Sequence, residues 1–134
     1  MLTFEKYPLN SNLEGIKDKW SLRICKKETL TMDDIIQYMH RHNSPYSAGT
    51  LRGVFIDVIA CIRELLLDGN AVEIPDLAVL SIAAKAKAKD SAEEVSLKDI
   101  TDLHLHARSV GRLSKKNIAA HAELKEHEHY DISE

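Results

Sequence analysis

An α+β fold, with two N-terminal helices forming a core, a small antiparallel sheet with an extended β-arm and a short C-terminal helix, is predicted by three features. A long apolar stretch with helical spacing runs from Thr50 and stops at Asp68-Gly69. Two short alternating stretches follow it at once. The second of them continues into an extended limb, and a returning limb with the same alternation lies beyond a polar segment.

Residues 1–20 have no sustained period, being broken by Pro8, Asn10, Ser11, Asn12 and Gly15, and offer one short strand at Thr3 to Tyr7. From Trp20 to Lys26 apolar Trp20, Leu22 and Ile24 alternate with Ser21, Arg23 and Cys25, as in a strand with one buried face. Thr31 stands where a helix N-cap belongs. Asp33 and Asp34 suit the positive end of that helix, and Ile35, Ile36 and Met39 give it an apolar side until Asn43, Ser44 and Pro45 end it.

Ser47 is placed to cap the next helix. Leu51, Val54, Phe55, Val58, Ile62, Leu65 and Leu66 recur at three- and four-residue steps along it, widened by Ile59 and by Cys61, which is expected to be buried. So wide a stripe exceeds what one small sheet can cover, so these seven residues are expected at a helix–helix interface that includes a second subunit. Gly69 supplies the left-handed residue that closes the helix. Ala71 to Ile74 and Leu77 to Ala84 read as strands joined at Pro75-Asp76.

Beyond Ala84 come Lys85, Lys87 and Lys89, which share a face if the chain stays extended, and then a polar, flexible tip from Asp90 to Asp99. Asp102 to Arg108 returns with Leu103, Leu105 and Ala107 on one side and His104, His106 and Arg108 on the other. Ser114 is placed to cap a last helix through Ile118, Ala119, Ala122 and Leu124, and the acidic end from Glu126 is expected to fray. The expected division is an N-terminal extension at 1–29, a main domain at 30–118 and a tail at 119–134.

Composition limits the functions open to the chain. Of 134 residues, 44% are hydrophobic but only 5% aromatic, so the core rests on Leu, Ile, Val and Ala, and a core so small favours dimerisation. Cys25 and Cys61 lack metal-type spacing and read as reduced thiols in a cytoplasmic protein. The start of the chain has neither signal-peptide character nor a membrane-spanning run, and no membrane partner is expected. The net charge of −3 is unevenly spread: residues 1–77 carry 9 Lys+Arg against 11 Asp+Glu, residues 78–118 carry 8 against 5, and residues 119–134 carry 1 against 5. Positive charge is therefore concentrated in the arm and the segment after it.

Lys85, Lys87, Lys89, Arg108, Arg112, Lys115 and Lys116 are the candidate phosphate contacts, since ammonium and guanidinium groups displace condensed counterions without reading sequence. His104 and His106 lie on the same expected face. The other histidines make a poor metal site: on a helix His127 and His129 point about 200° apart, and His121 adds no regular partner. No metal and no cofactor are expected. Nor is an enzyme or a small-molecule substrate, because no Gly-rich phosphate loop or nucleophile elbow occurs, Cys61 is expected to be buried and Cys25 has no assigned base.

Two helices, a Gly-closed turn, a strand pair, a long arm and a short C-terminal helix resemble the bacterial histone-like DNA-binding proteins of the HU and integration-host-factor type. The likeness covers about residues 30 to 118. It is best between Ile62 and Ile74, where an apolar helix, the Asp68-Gly69 turn and an alternating strand follow one another. The segment from Lys19-Trp20-Ser21-Leu22-Arg23 to Thr29-Leu30-Thr31 looks more like the longer HU-like proteins of gut-type anaerobic bacteria. The resemblance implies an HU-like fold, an intertwined homodimer with a sheet saddle, and two arms that reach around double-stranded DNA in its minor groove. It implies a nucleoid-associated protein that organises or bends DNA with little sequence specificity. Two departures fit an alternative, a protein-interaction or dimerisation module of the same fold. No Pro follows Pro75, where the family's arms carry one, and the arm contains Asp90, Glu93, Glu94, Asp99 and Asp102.

Overall fold

The computed structural model describes residues 1–9, 15 and 19–127. The order of elements is β1 (Leu2–Pro8), β2 (Trp20–Cys25), α1 (Met32–Arg41), α2 (Ala48–Leu67), β3 (Val72–Ile74), β4 (Ala78–Ala86), β5 (Ile100–Ser109), α3 (Lys115–His121) and β6 (Leu124–Glu126). Single 3-10 turns at Leu97–Asp99 and Gly111–Leu113 precede β5 and α3. The chain divides into two compact units, one of residues 1–31 and 119–134, the other of residues 32–118.

In the first unit three strands form a sheet of order β2-β1-β6. The β1–β2 pair is antiparallel, with Phe4 opposite Ile24, Lys6 opposite Leu22 and Pro8 opposite Trp20. On the other face Arg23 is hydrogen-bonded to Glu5, and its guanidinium lies 5.0 Å from the Tyr7 ring centroid. β6 runs parallel to β1, with Leu2 opposite Leu124 and Phe4 opposite Glu126. This corrects the expected last helix: α3 ends at His121, and Leu124 lies in a strand rather than a helix. Local propensity favoured a helix through Ala119, Ala120 and Ala122. The edge of β1 competes with it, for the Leu2 N–H donates to Glu123 O at 2.8 Å and the His127 N–H to Phe4 O at 2.8 Å. The acidic end is thus paired as far as His127, and the rest of the expected frayed tail lies outside the described residues.

In the second unit α1 packs on α2, and α2 packs on β3 and β4. Asn43, in the left-handed region at φ 59°, ends α1, and the Ser44 N–H closes back on Met39 O at 3.2 Å. Ser47 caps α2: its Oγ accepts from the Thr50 N–H at 3.1 Å. At the far end Gly69 takes φ 93°, and the Asn70 N–H returns to Leu65 O at 3.1 Å, satisfying carbonyls that the last turn leaves open. Ile36 is the one side chain fully buried among the described residues, and only Leu51 and Leu66 join it as buried apolar residues.

The α2 stripe is therefore split. Leu51 and Leu66 are buried, Phe55 and Ile62 are half-buried, and Val54, Val58 and Leu65 are exposed, at 55%, 46% and 48%. Cys61, expected to be buried, is exposed: within its own unit nothing among the described residues covers that side of α2. No described helix is long and apolar enough to cross a membrane.

Candidate nucleic-acid interface

The register of the second sheet, of order β3-β4-β5, fixes what the arm presents. Val79 faces Arg108, Ser81 faces His106, Ala83 faces His104 and Lys85 faces Asp102 across the antiparallel pair. Paired residues share a side of the sheet, so Lys85, His104, His106 and Arg108 lie on one face with Asp102 among them. Leu80, Ile82 and Ala84, opposite Ala107, Leu105 and Leu103, make the other face.

The alternation of lysines does not continue as one strand face. The register slips between Lys85 and Ala86, so that Ala86 pairs with Ile100 and Thr101 bulges, its Oγ1 donating to Lys85 O at 3.2 Å. β4 ends at Ala86, leaving Lys87 and Lys89 beyond it. The Lys87 backbone N–H still donates to Asp99 O at 2.9 Å, and Lys89 Nζ lies 3.7 Å from Asp99 Oδ1.

Asp99 organises the end of the arm. Only 9% exposed, it closes a capping box with Ser96: its carboxylate accepts from the Ser96 N–H at 3.0 Å and its own N–H donates to Ser96 O at 3.0 Å. The segment read from sequence as a flexible tip therefore has local order in its last turn. The Ser96-x-x-Asp99 spacing was the signal that could have shown it. A counterpart at the root of the arm was also missed. Asp76, at φ 60°, accepts from the Arg112 N–H at 3.1 Å and lies 3.8 Å from Arg112 Nε, while the Val110 N–H donates to Leu77 O at 3.3 Å. This latch ties the turn before β4 to the end of β5.

The candidate cations thus fall into two groups. Lys89 and Arg112 have carboxylate neighbours, whereas Lys85, Lys87, Arg108, Lys115 and Lys116 are exposed with no ion pair among the described residues. Lys115 and Lys116 begin α3 beside Ser114, whose Oγ accepts from Asn117 Nδ2 at 3.1 Å. His104 Nδ1 stands 3.1 Å from Asp102 Oδ2, an ion-pair separation for a protonated ring, but the angle makes no hydrogen bond, and this nitrogen is shielded from solvent. Between Ala78 and Ser109 five cations are matched by five carboxylates, and Asp90, Glu93 and Glu94 have no cation among them from 90 to 96. Positive charge is concentrated at the arm's root and along Lys85 and Lys87, not at its tip.

No cluster of three potential metal ligands occurs among the described residues, and His129 lies outside them.

A crystal structure of a Bacteroides vulgatus protein described as a candidate DNA-binding protein is similar in fold, with a TM-score of 0.63 at 10% identity. The match covers 93% of this chain and 47% of that one, so the chain spans about half the length of that neighbour. No curated protein matches the sequence. The model of the HU-HIG family, described as an HU domain fused to wHTH, Ig, or glycine-rich motif, matches residues 3–123, and the chain belongs to that family.

Proposed function

We propose that the chain is an HU-like DNA-binding protein that works as a homodimer and grips duplex DNA through the faces of its β-arms, with little sequence specificity, to organise or bend it. It is a nucleoid-associated binder rather than an enzyme. The observation that carries this reading is the family's HU domain built with five exposed cations, Lys85, Lys87, Arg108, Lys115 and Lys116, on and just beyond the arm, with no ion pair among the described residues. Such groups attract the phosphate backbone and carry no base readout. Dimerisation is supported by the three buried apolar side chains described, too few to hold a domain of this size, beside the uncovered Val54, Val58 and Leu65. With Leu51, Phe55, Ile62 and Leu66 these form the proposed interface.

Two copies would offer ten such cations. If all ten meet phosphate, the logarithm of affinity should fall with the logarithm of salt with a slope of about −9, since each neutralised phosphate contributes about 0.9 on duplex DNA. A gel-shift titration at several ionic strengths measures this. Absence of binding at low salt overturns the reading.

The arm's balanced charge favours a second reading, in which the same fold serves protein interaction or dimerisation without strong DNA binding. Replacing Lys85, Lys87 and Lys89 by Glu separates the two. The first reading requires loss of DNA binding with the dimer intact, and unchanged binding removes the arm from the interface.

A further inference from the structure

The N-terminal sheet holds an interaction surface that the arm and α2 do not use. β2 is an edge strand, with β1 as its one strand partner among the described residues. The Leu9 N–H donates to Lys19 O at 2.8 Å, which makes residues 9 and 19 a hydrogen-bonded pair. Such pairs alternate along an antiparallel ladder. Ser21, Arg23 and Cys25 therefore bond inward to β1, and Pro8, which has no N–H to give, sits opposite Trp20 at a position that needs none. The N–H and C=O groups of Trp20, Leu22 and Ile24 point to the open edge.

Edge strands are ordinarily protected by lysine, proline, a bulge or inward charge. β2 has none of these: its one charge, Arg23, is held on the opposite face by Glu5 and Tyr7. The side chains of Trp20, Leu22 and Ile24 instead form an apolar row, exposed at 67%, 58% and 44%. Phe4 and Leu2 lie on the same face of β1, as does Lys6, opposite Leu22 and 3.5 Å from Glu126.

We infer that this edge pairs with the β2 edge of a second copy, antiparallel about a two-fold axis at Leu22. The strand is self-complementary in that register. Leu22 meets its symmetry mate, Trp20 meets Ile24, and Ser21 meets Arg23, so no like charges oppose each other. Each even-numbered residue exchanges the two backbone bonds that the edge leaves free, as a hydrogen-bonded antiparallel pair requires. A register one residue away would set the apolar row against Ser21 and Arg23, turning it to the wrong side. The partner is thus another molecule of this chain, and the product is a continuous six-stranded sheet whose central two strands carry the apolar row. This interface is isologous and shares no residue with the α2 stripe or with the arm cations.

The test places one thiol on the axis. In the full chain with Cys25→Ser and Cys61→Ser, Leu22→Cys sets two sulfurs at a pair whose Cα atoms lie about 5.5 Å apart, within disulfide reach. Mild oxidation should link most of the protein into a covalent dimer. Ser21→Cys in the same background, facing Arg23 rather than itself, should stay largely unlinked. Equal linkage at both positions, or none at either, overturns the proposal. The unmodified protein gives an independent readout: raising its concentration should slow amide exchange at Leu22 and Ile24 by about tenfold or more. Exchange at unprotected rates at every concentration, or linkage only to other proteins in a lysate, also overturns it.

Discussion

Gly111→Ala should be the most damaging of the glycine-to-alanine changes in this protein. Gly111 has φ 59°, and a Cβ there would lie 2.3 Å from Asp76 Oδ1 and 2.9 Å from Asp76 Cα. Moving the carboxylate relieves only the first contact. The second is with backbone that is itself held in the left-handed region at φ 60°, between the Leu77 N–H bond to Ile74 O at 3.1 Å and the Val110 N–H bond to Leu77 O. The left-handed conformation costs alanine about 1–2 kcal/mol, and easing the backbone contact strains or breaks about one hydrogen bond worth about 1 kcal/mol. A loss of about 2–3 kcal/mol is expected. Urea unfolding at one fixed protein concentration measures it, because self-association would otherwise shift the midpoint. Asp76→Gly supplies the cycle: in that background the carboxylate is gone but the left-handed cost and the backbone contact remain, so Gly111→Ala should still cost about 2 kcal/mol or more. A Gly111→Ala cost below about 0.5 kcal/mol, the range of ordinary surface changes, would refute the reasoning.

Three further outcomes can be checked. Ser47→Ala leaves the Thr50 N–H without its cap and should cost about 1 kcal/mol in the same unfolding assay, with most of it regained by Ser47→Asp. Asp99→Ala strands the Ser96 N–H and frees Lys89, so amide exchange at Lys87 should speed up by about three- to tenfold while that of α2 stays unchanged. Val58→Glu puts a carboxylate in the middle of the uncovered α2 stripe and should weaken self-association by about a hundredfold in sedimentation, whereas Arg63→Glu off the stripe should not.

What the sequence showed and what it hid divide along contact order. The α2 boundaries were legible because Ser47 and Gly69 are local signals acting within a turn of their own positions. β3 and β4 were legible because alternation is local too. The strand at Leu124 was not, since its cause is the exposed edge of Leu2 more than a hundred residues away, and no periodicity in three residues records that. Nor could alternation reveal the slip at Lys85, which takes the lysines out of line by one bulged threonine on the other strand. Cys61 misled for a different reason: an apolar helical face shows that something must cover it, not that the same chain does.

That last distinction bears on the arm as well. A lysine-rich limb suggests a charged grip along its length, but the folded arm separates its charges. Asp99 takes Lys89 as its neighbour to hold the last turn, and the remaining tip carboxylates, Asp90, Glu93 and Glu94, have no cation among them. Exposed charges act over only about 8 Å at physiological salt, so these carboxylates repel phosphate near the tip and scarcely affect the root. Lys115 and Lys116 follow the 3-10 turn that carries Arg112, the residue tied to Asp76 by the latch with Gly111. The same short segment that follows the end of β5 therefore leads directly into Lys115 and Lys116. For the proposed contact with a phosphate backbone, the base of the arm therefore offers the better-matched charge and the tip the worse.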